Sequence, residues 1–267
     1  MKFIQLLLTL MITTSLFSAE NIDPSFTYGK YISWDHGVGT GSFRDEGTSP
    51  LTYSGFAAKL GVGYLSEKKQ YSWEIQMNAN YMLGFITQGY QLHNLSGDIQ
   101  LSYLHTIPIF ENKQLSLKAG GRLSTSFSGT MNDAYQNASF NYDIFSSLYA
   151  RAQFTYAFIK PEKQKKRRIA PEKHFALVCN LDLPVMLLNF RPEFPYVMDG
   201  NMISVDRHIF IGGYSMQNHI GLKRFFNNGN AFELSYIWKM YLTGKKDIYR
   251  METASHILQF SYYFKLD

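Results

Sequence analysis

Apolar and polar residues alternate one for one along most of this chain, the period of a strand with two unlike faces rather than of a helix. In "LSLKAGGRLSTSF", Leu115, Leu117, Ala119, Gly121, Leu123 and Phe127 share one face, with Thr125 the exception. Ser116, Lys118, Gly120, Arg122, Ser124 and Ser126 share the other. "SWEIQMNANYML" repeats the pattern, setting Trp73, Ile75, Met77, Ala79, Tyr81 and Leu83 against Ser72, Glu74, Gln76, Asn78 and Asn80. Weaker copies cover residues 26–34, 56–64, 99–107, 144–158, 175–185, 216–222 and 232–242, and "SHILQFSYYFKLD" closes the chain. The prediction is all-β, with about ten strands of about ten residues each.

Alternation alone fits a soluble sandwich with apolar faces inward, or a barrel turned inside out in a membrane. Three features favour the barrel. Aromatics sit near strand ends on the apolar faces (Tyr64, Trp73, Trp238, Phe264), as in interfacial girdles. The polar faces carry both signs of charge and small residues, which suits a filled interior. Tight connections ("SEKKQ", "FENKQ", "FNNGN") alternate with longer ones at 36–51, 84–93, 128–141, 187–214 and 244–253. That is the up-and-down antiparallel plan of a transmembrane barrel, with both chain ends on one side and an even strand number. Eight to twelve strands fit, and an Asp-Gly turn signal in "YVMDGNMISV" is what would make twelve.

Composition agrees: aromatics reach 16% and charged residues only 18%. The opening "MKFIQLLLTLMITTSLFSAE" reads as a cleavable leader over residues 1–19, cut after Ala19, which leaves 20–267 as the barrel. Cys179 is the single cysteine, so the chain makes no internal disulfide.

The leader, the alternating strands and the last strand "FSYYFKLD" together resemble Gram-negative outer-membrane β-barrel proteins. Phe260, Tyr262 and Phe264 at alternate positions resemble their C-terminal assembly signal, although Lys265, Leu266 and Asp267 follow where an aromatic usually ends the chain. That ending, and "SFRDEGTSPLTYSG", are similar to uncharacterised barrels of Bacteroidota. The resemblance implies outer-membrane lipid and the barrel-assembly machinery as partners, and it carries no activity.

Candidate chemistry is sparse. "KPEKQKKRRIAPEK" has seven Lys or Arg against Glu162 and Glu172, a local +5 equal to the net charge of the chain. Pro161 and Pro171 bracket it, and no aromatic lies between them to stack on bases, so nucleic acid is not expected. It reads as a solvated turn over 160–173, or as a salt-sensitive docking point for an anionic periplasmic partner. The inward faces should hold Lys59, Glu74, Asp98, Lys118, Arg122, Arg151, Asp182, Lys223, Glu233 and Lys239. Neighbouring strands put Glu74 and Asp98 in reach of Lys118 and Arg122, either as a plug of ion pairs or as the lining of a narrow conduit.

His36, His93, His208, His219 and His256 are expected near the outer rim. Asp35–His36 and Asp206-x-His208 suggest base-and-orienter pairs, but adjacent residues on a strand face opposite ways. Ser215 and His219 are too far apart along a strand to bond directly. No ligand spacing supports a metal, and no cofactor is expected. The connection over 187–214 offers Arg191, Phe194, Tyr196, Asp206 and His208 as outer-loop ligand contacts. The functional expectation is a binding or structural barrel with a plugged lumen. A narrow pore and a surface hydrolase are the alternatives.

Overall fold

The computed structural model describes residues 24–46, 49–86, 89–108, 114–132, 140–160, 163–165, 168–170, 172–192, 207–211, 213–244 and 250–266. The leader over 1–19, and Phe194, Tyr196 and Asp206 of the long connection, lie outside them.

A short 3-10 turn, Pro24–Thr27, precedes the sheet. The strands are β1 (Gly29–Asp45), β2 (Ser49–Glu67), β3 (Tyr71–Phe85), β4 (Gln91–Thr106), β5 (Leu115–Asn132), β6 (Phe140–Lys160), β7 (Lys163–Lys165), β8 (Arg168–Ala170), β9 (Lys173–Pro192), β10 (Arg207–Ile211), β11 (Tyr214–Phe225), β12 (Ala231–Thr243) and β13 (Met251–Leu266). Each long strand pairs antiparallel with the next, β6 pairs with β9, and β13 returns to β1, so ten strands close a ring. The closing seam runs from Lys30 opposite Leu266 to Asp45 opposite Met251. β7 and β8 form a separate two-stranded ribbon inside the basic connection, where the sequence suggested only a turn.

β10 does not make an eleventh stave. Ile211 lies opposite Leu188 and Gln217 opposite Asp182, a constant register on β9, so β10 and β11 lie in line as one interrupted stave. Tyr214, Ser215 and Met216 make no ladder pair with β9, where the facing stretch holds Pro184, which has no amide to donate. On its other side β9 bulges at the same place, since Leu148 faces Met186 while Tyr149 faces Pro184.

Burial is inverted relative to a soluble protein. Ile32, Trp34, Val38, Leu60, Met77, Leu95, Leu123, Phe127, Leu258 and Phe264 are exposed, while Asp35, Asp98, Arg122, Asp182 and Glu233 are buried. The apolar face of each strand is the outer face. Only a lipid solvent makes that arrangement favourable, and this is a transmembrane β-barrel. At the end carrying the tight turns, outward aromatics pack as Tyr64–Trp73, Tyr71–Tyr103, Phe158–Phe175 and Phe232–Tyr262. They form a girdle where ring faces meet hydrocarbon and polar edges meet water.

Several strands run past their expected ends. Residues 36–45 continue β1 and 128–132 continue β5, so the first and third long connections are much shorter than the pattern suggests. Residues 26–27 fall in the 3-10 turn rather than in the first strand.

Leu60 faces lipid midway along β2, between His36 and Ala79 on its neighbours. Leu60→Arg is expected to destabilise the barrel by about 2–4 kcal/mol in reversible unfolding from phospholipid vesicles.

Candidate functional site: the lumen

Strand parity aims every second residue at the bore, and the bore is bridged at several heights. At the loop end, Asn141 Nδ2 of β6 donates to Asp45 Oδ2 of β1 over 2.9 Å. These strands are five places apart round a ring of ten, so the bond crosses the full width. Beside it, Asn132 Nδ2 donates to the Tyr53 hydroxyl at 2.9 Å. Phe43, Tyr53, Leu92, Phe145, Leu187, Tyr241 and Met251 pack together there as a buried apolar layer, with Phe145 and Tyr241 ring centroids 4.3 Å apart.

Below that layer lies a cavity of about 150 Å³, and below the cavity a layer of charge. Arg122 reaches across two intervening strands to Gln217, and its NH1 lies 2.8 Å from Asp182 Oδ2, both side chains 2% exposed. Arg122 also covers the Tyr149 ring at 4.7 Å. Arg151 binds Glu74 at 3.3 Å and Ser102 Oγ at 2.8 Å, and lies 3.6 Å from Asp182. Lys118 pairs with Glu67 and donates to the Lys68 carbonyl. The partners thus differ from those that strand adjacency suggested: Glu74 meets Arg151, and Arg122 meets Asp182. Among the described residues Asp98 meets no cation at contact distance; it accepts from Asn78, Asn80 and Gln100 at 2.8, 3.0 and 2.6 Å.

Toward the end with the tight turns, Lys223 and Glu233 face each other across β11 and β12 with Nζ 3.2 Å from Oε2. His219 Nε2 approaches Glu233 Oε1 at 2.9 Å, and its other nitrogen meets Asn180 at 3.1 Å. Tyr263 donates to Glu233 at 3.0 Å, and Lys223 sits 3.6 Å over the Tyr263 ring. Gly221 is part of this arrangement, because a Cβ there would lie 2.1 Å from Glu233 Oε1. Phe26 then packs edge-on against Phe225 and His174, on the patch of Ala176, Val178, Phe225 and Ala231 that lines this mouth.

His93 lies at the outer end of β4, two residues from its start, whereas His36 and His219 lie further down their strands. His219 points into the lumen, and its spacing of two and four from Gln217 and Lys223 carried that signal. His36 faces lipid mid-strand, 5.9 Å from Trp34, with Asp35 turned inward to accept from Gln76. His93 and His256 face outward and bond Tyr81 and Tyr236. Ser215 bonds Tyr149 at 2.6 Å, and among the described residues no nucleophile is bonded to His219. Arg191 and His208 face each other in backbone register between β9 and β10. Among the described residues no group of three metal-ligating side chains occurs. Asp35 and Glu67 are lumen acids that sequence reasoning passed over: the first was read with His36, the second as part of a turn.

No family model and no curated protein sequence matches the chain. Among solved structures it is similar to the translocator domain of the autotransporter NalP from Neisseria meningitidis, at 9% identity and a TM-score of 0.39, over 98% of this chain and 96% of that one. It is similar to the transport unit of the autotransporter AIDA-I from Escherichia coli, at 12% identity and a TM-score of 0.37, over 96% of each chain. The toluene transporter TbuX from Ralstonia pickettii matches at 9% identity and a TM-score of 0.30, over 92% of this chain and 95% of that one. These likenesses are too distant to add to the strand pairing, which itself defines the class.

Arg122→Leu leaves Asp182 in the bore with Arg151 as its one cation among the described residues, 3.6 Å away, and should cost about 3–5 kcal/mol. Arg122→Leu/Asp182→Leu together should recover most of it, as read by denaturant midpoints of the barrel in vesicles.

Proposed function

We propose that this chain is a Gram-negative outer-membrane barrel with a closed lumen, exported by its leader, whose role is binding or structural rather than conduction. The tight turns and both chain ends then face the periplasm, and the loop end faces outward. One observation carries the reading: side chains from strands that are not neighbours meet across the bore above and below the outer cavity. Asp45–Asn141 spans it near the outside, Arg122–Asp182 and Arg151–Glu74 fill the middle, and Phe26 packs at the periplasmic mouth. Breaking these pairs would leave buried charge without a partner, which opposes spontaneous opening.

A narrow pore is the second reading, and the outer cavity is what favours it, because part of the bore is already empty. The basic run over 160–173, which joins β6 to β9 and holds the β7–β8 ribbon, would then offer a salt-sensitive surface to an anionic periplasmic partner, and the last strand would serve the assembly machinery.

Planar-bilayer recording on the refolded mature protein tests the reading. A folded, heat-modifiable barrel should give no steady conductance steps. Ohmic steps that change on Arg122→Gln would make it a pore and remove the closed-lumen reading.

A further inference from the structure

The outer cavity is a site of unusual asymmetry. Ile237, Ile257, Gly39 and Ala57 lie on one rung across β12, β13, β1 and β2, and the three apolar side chains pack together as one wall. The opposite wall, from β4, β5 and β6, presents the hydroxyls of Ser96, Ser124, Ser126, Ser128 and Ser147. The apolar layer around Phe145 and Tyr241 covers it on the outer side.

Two lysines border the apolar rung. Lys59 is one inward step from Ala57 toward the periplasm, and Lys239 one inward step from Ile237 toward the outside. Both line the cavity, and they lie within electrostatic reach of each other and of Asp98. Among the described residues neither ammonium has a hydrogen bond or a contact ion pair. The nearby carboxylates are already occupied by neutral donors: Asp98 by Asn78, Asn80 and Gln100, and Asp35 by Gln76. Lys59 is only 9% exposed, so it has little access to bulk water in compensation. Among the described residues the lining carries Lys59 and Lys239 against the single acid Asp98, while Asp35 lies within electrostatic reach of Lys59.

We propose that this cavity binds a small carboxylate with an apolar body, its acid group between Lys59 and Lys239 and its body on the Ala57–Ile237–Ile257 wall. The volume fixes the size class: an apolar cavity of about 150 Å³ accommodates benzene, so a single-ring aromatic acid or a short-chain fatty acid fits and a long-chain one does not. The inference deepens the binding role and rests on the lumen being closed below the site.

The test is titration of benzoate into the refolded mature protein in detergent, by calorimetry, with benzyl alcohol and inorganic phosphate as matched probes lacking the charge or the apolar body. Saturable binding of benzoate is expected, with each control at least ten-fold weaker. Lys59→Met/Lys239→Met should weaken benzoate by at least ten-fold while the heat-modifiable folded band remains. Should that pair fail to fold, Ala57→Phe fills the cavity with both lysines in place and should abolish binding. Absence of saturable benzoate binding overturns the proposal. So does benzoate binding that survives Ala57→Phe, or phosphate binding as tight as benzoate. Bilayer recording on the same preparation separates the failures: a silent barrel that ignores benzoate loses only the ligand, whereas a conducting one loses the closed lumen.

Discussion

The interaction on which everything else depends is the backbone hydrogen bond in a solvent that cannot replace it. Inside hydrocarbon an unpaired N–H or C=O costs several kcal/mol, so a sheet there has to close on itself. The long register between β1 and β13 meets that demand by joining the two ends of the chain. Closure then dictates the rest: side chains outside meet lipid, side chains inside meet each other, and a ten-strand ring is narrow enough for them to touch across it.

That narrowness explains the character of the interior. A charged side chain in the bore has little bulk water to screen it, so most find a partner across the lumen or an amide network beside them, Lys59 and Lys239 being the exceptions among the described residues. Arg122 and Arg151 share Asp182, while Glu233 gathers Lys223, His219 and Tyr263. Hydroxyls and small residues fill what remains, and the outer cavity is the volume that this packing leaves over.

The strands were legible because a period of two needs only neighbouring residues to be seen. Their outer ends were not, since beyond the membrane both faces of a strand are wetted and the alternation fades. In residues 36–45 the pattern is lost for a second reason, because Gly37, Gly39 and Gly41 take the inward positions where the strand still faces lipid, yet the stretch stays paired on both sides. The direction of each lumen residue could be read from parity, His219 included, since it sits two and four residues from Gln217 and Lys223. Who meets whom could not be read. Arg151–Glu74 joins strands three places apart, and only the diameter of the closed ring brings them together. The basic run showed its charge plainly, but the ribbon of β7 and β8 depends on backbone pairing that charge does not report.

The interrupted stave has a mechanical meaning. Between Leu183 and Leu187 the wall lacks part of its ladder on the β11 side and bulges on the β6 side, so bending stiffness there falls on both flanks of a single strand. The Tyr149–Ser215 bond passes behind Pro184, on the lumen side, and acts as a tie across the weak place. Apart from a register shift at Arg44/Asp45 near the outer end, the described ladders run unbroken elsewhere, so the tube will concentrate its thermal flexing along this line, much as a pressed cylinder yields first at its seam. Lateral pressure from the surrounding lipid would therefore be felt first at β9, and through Tyr149 at the guanidinium of Arg122 stacked upon it.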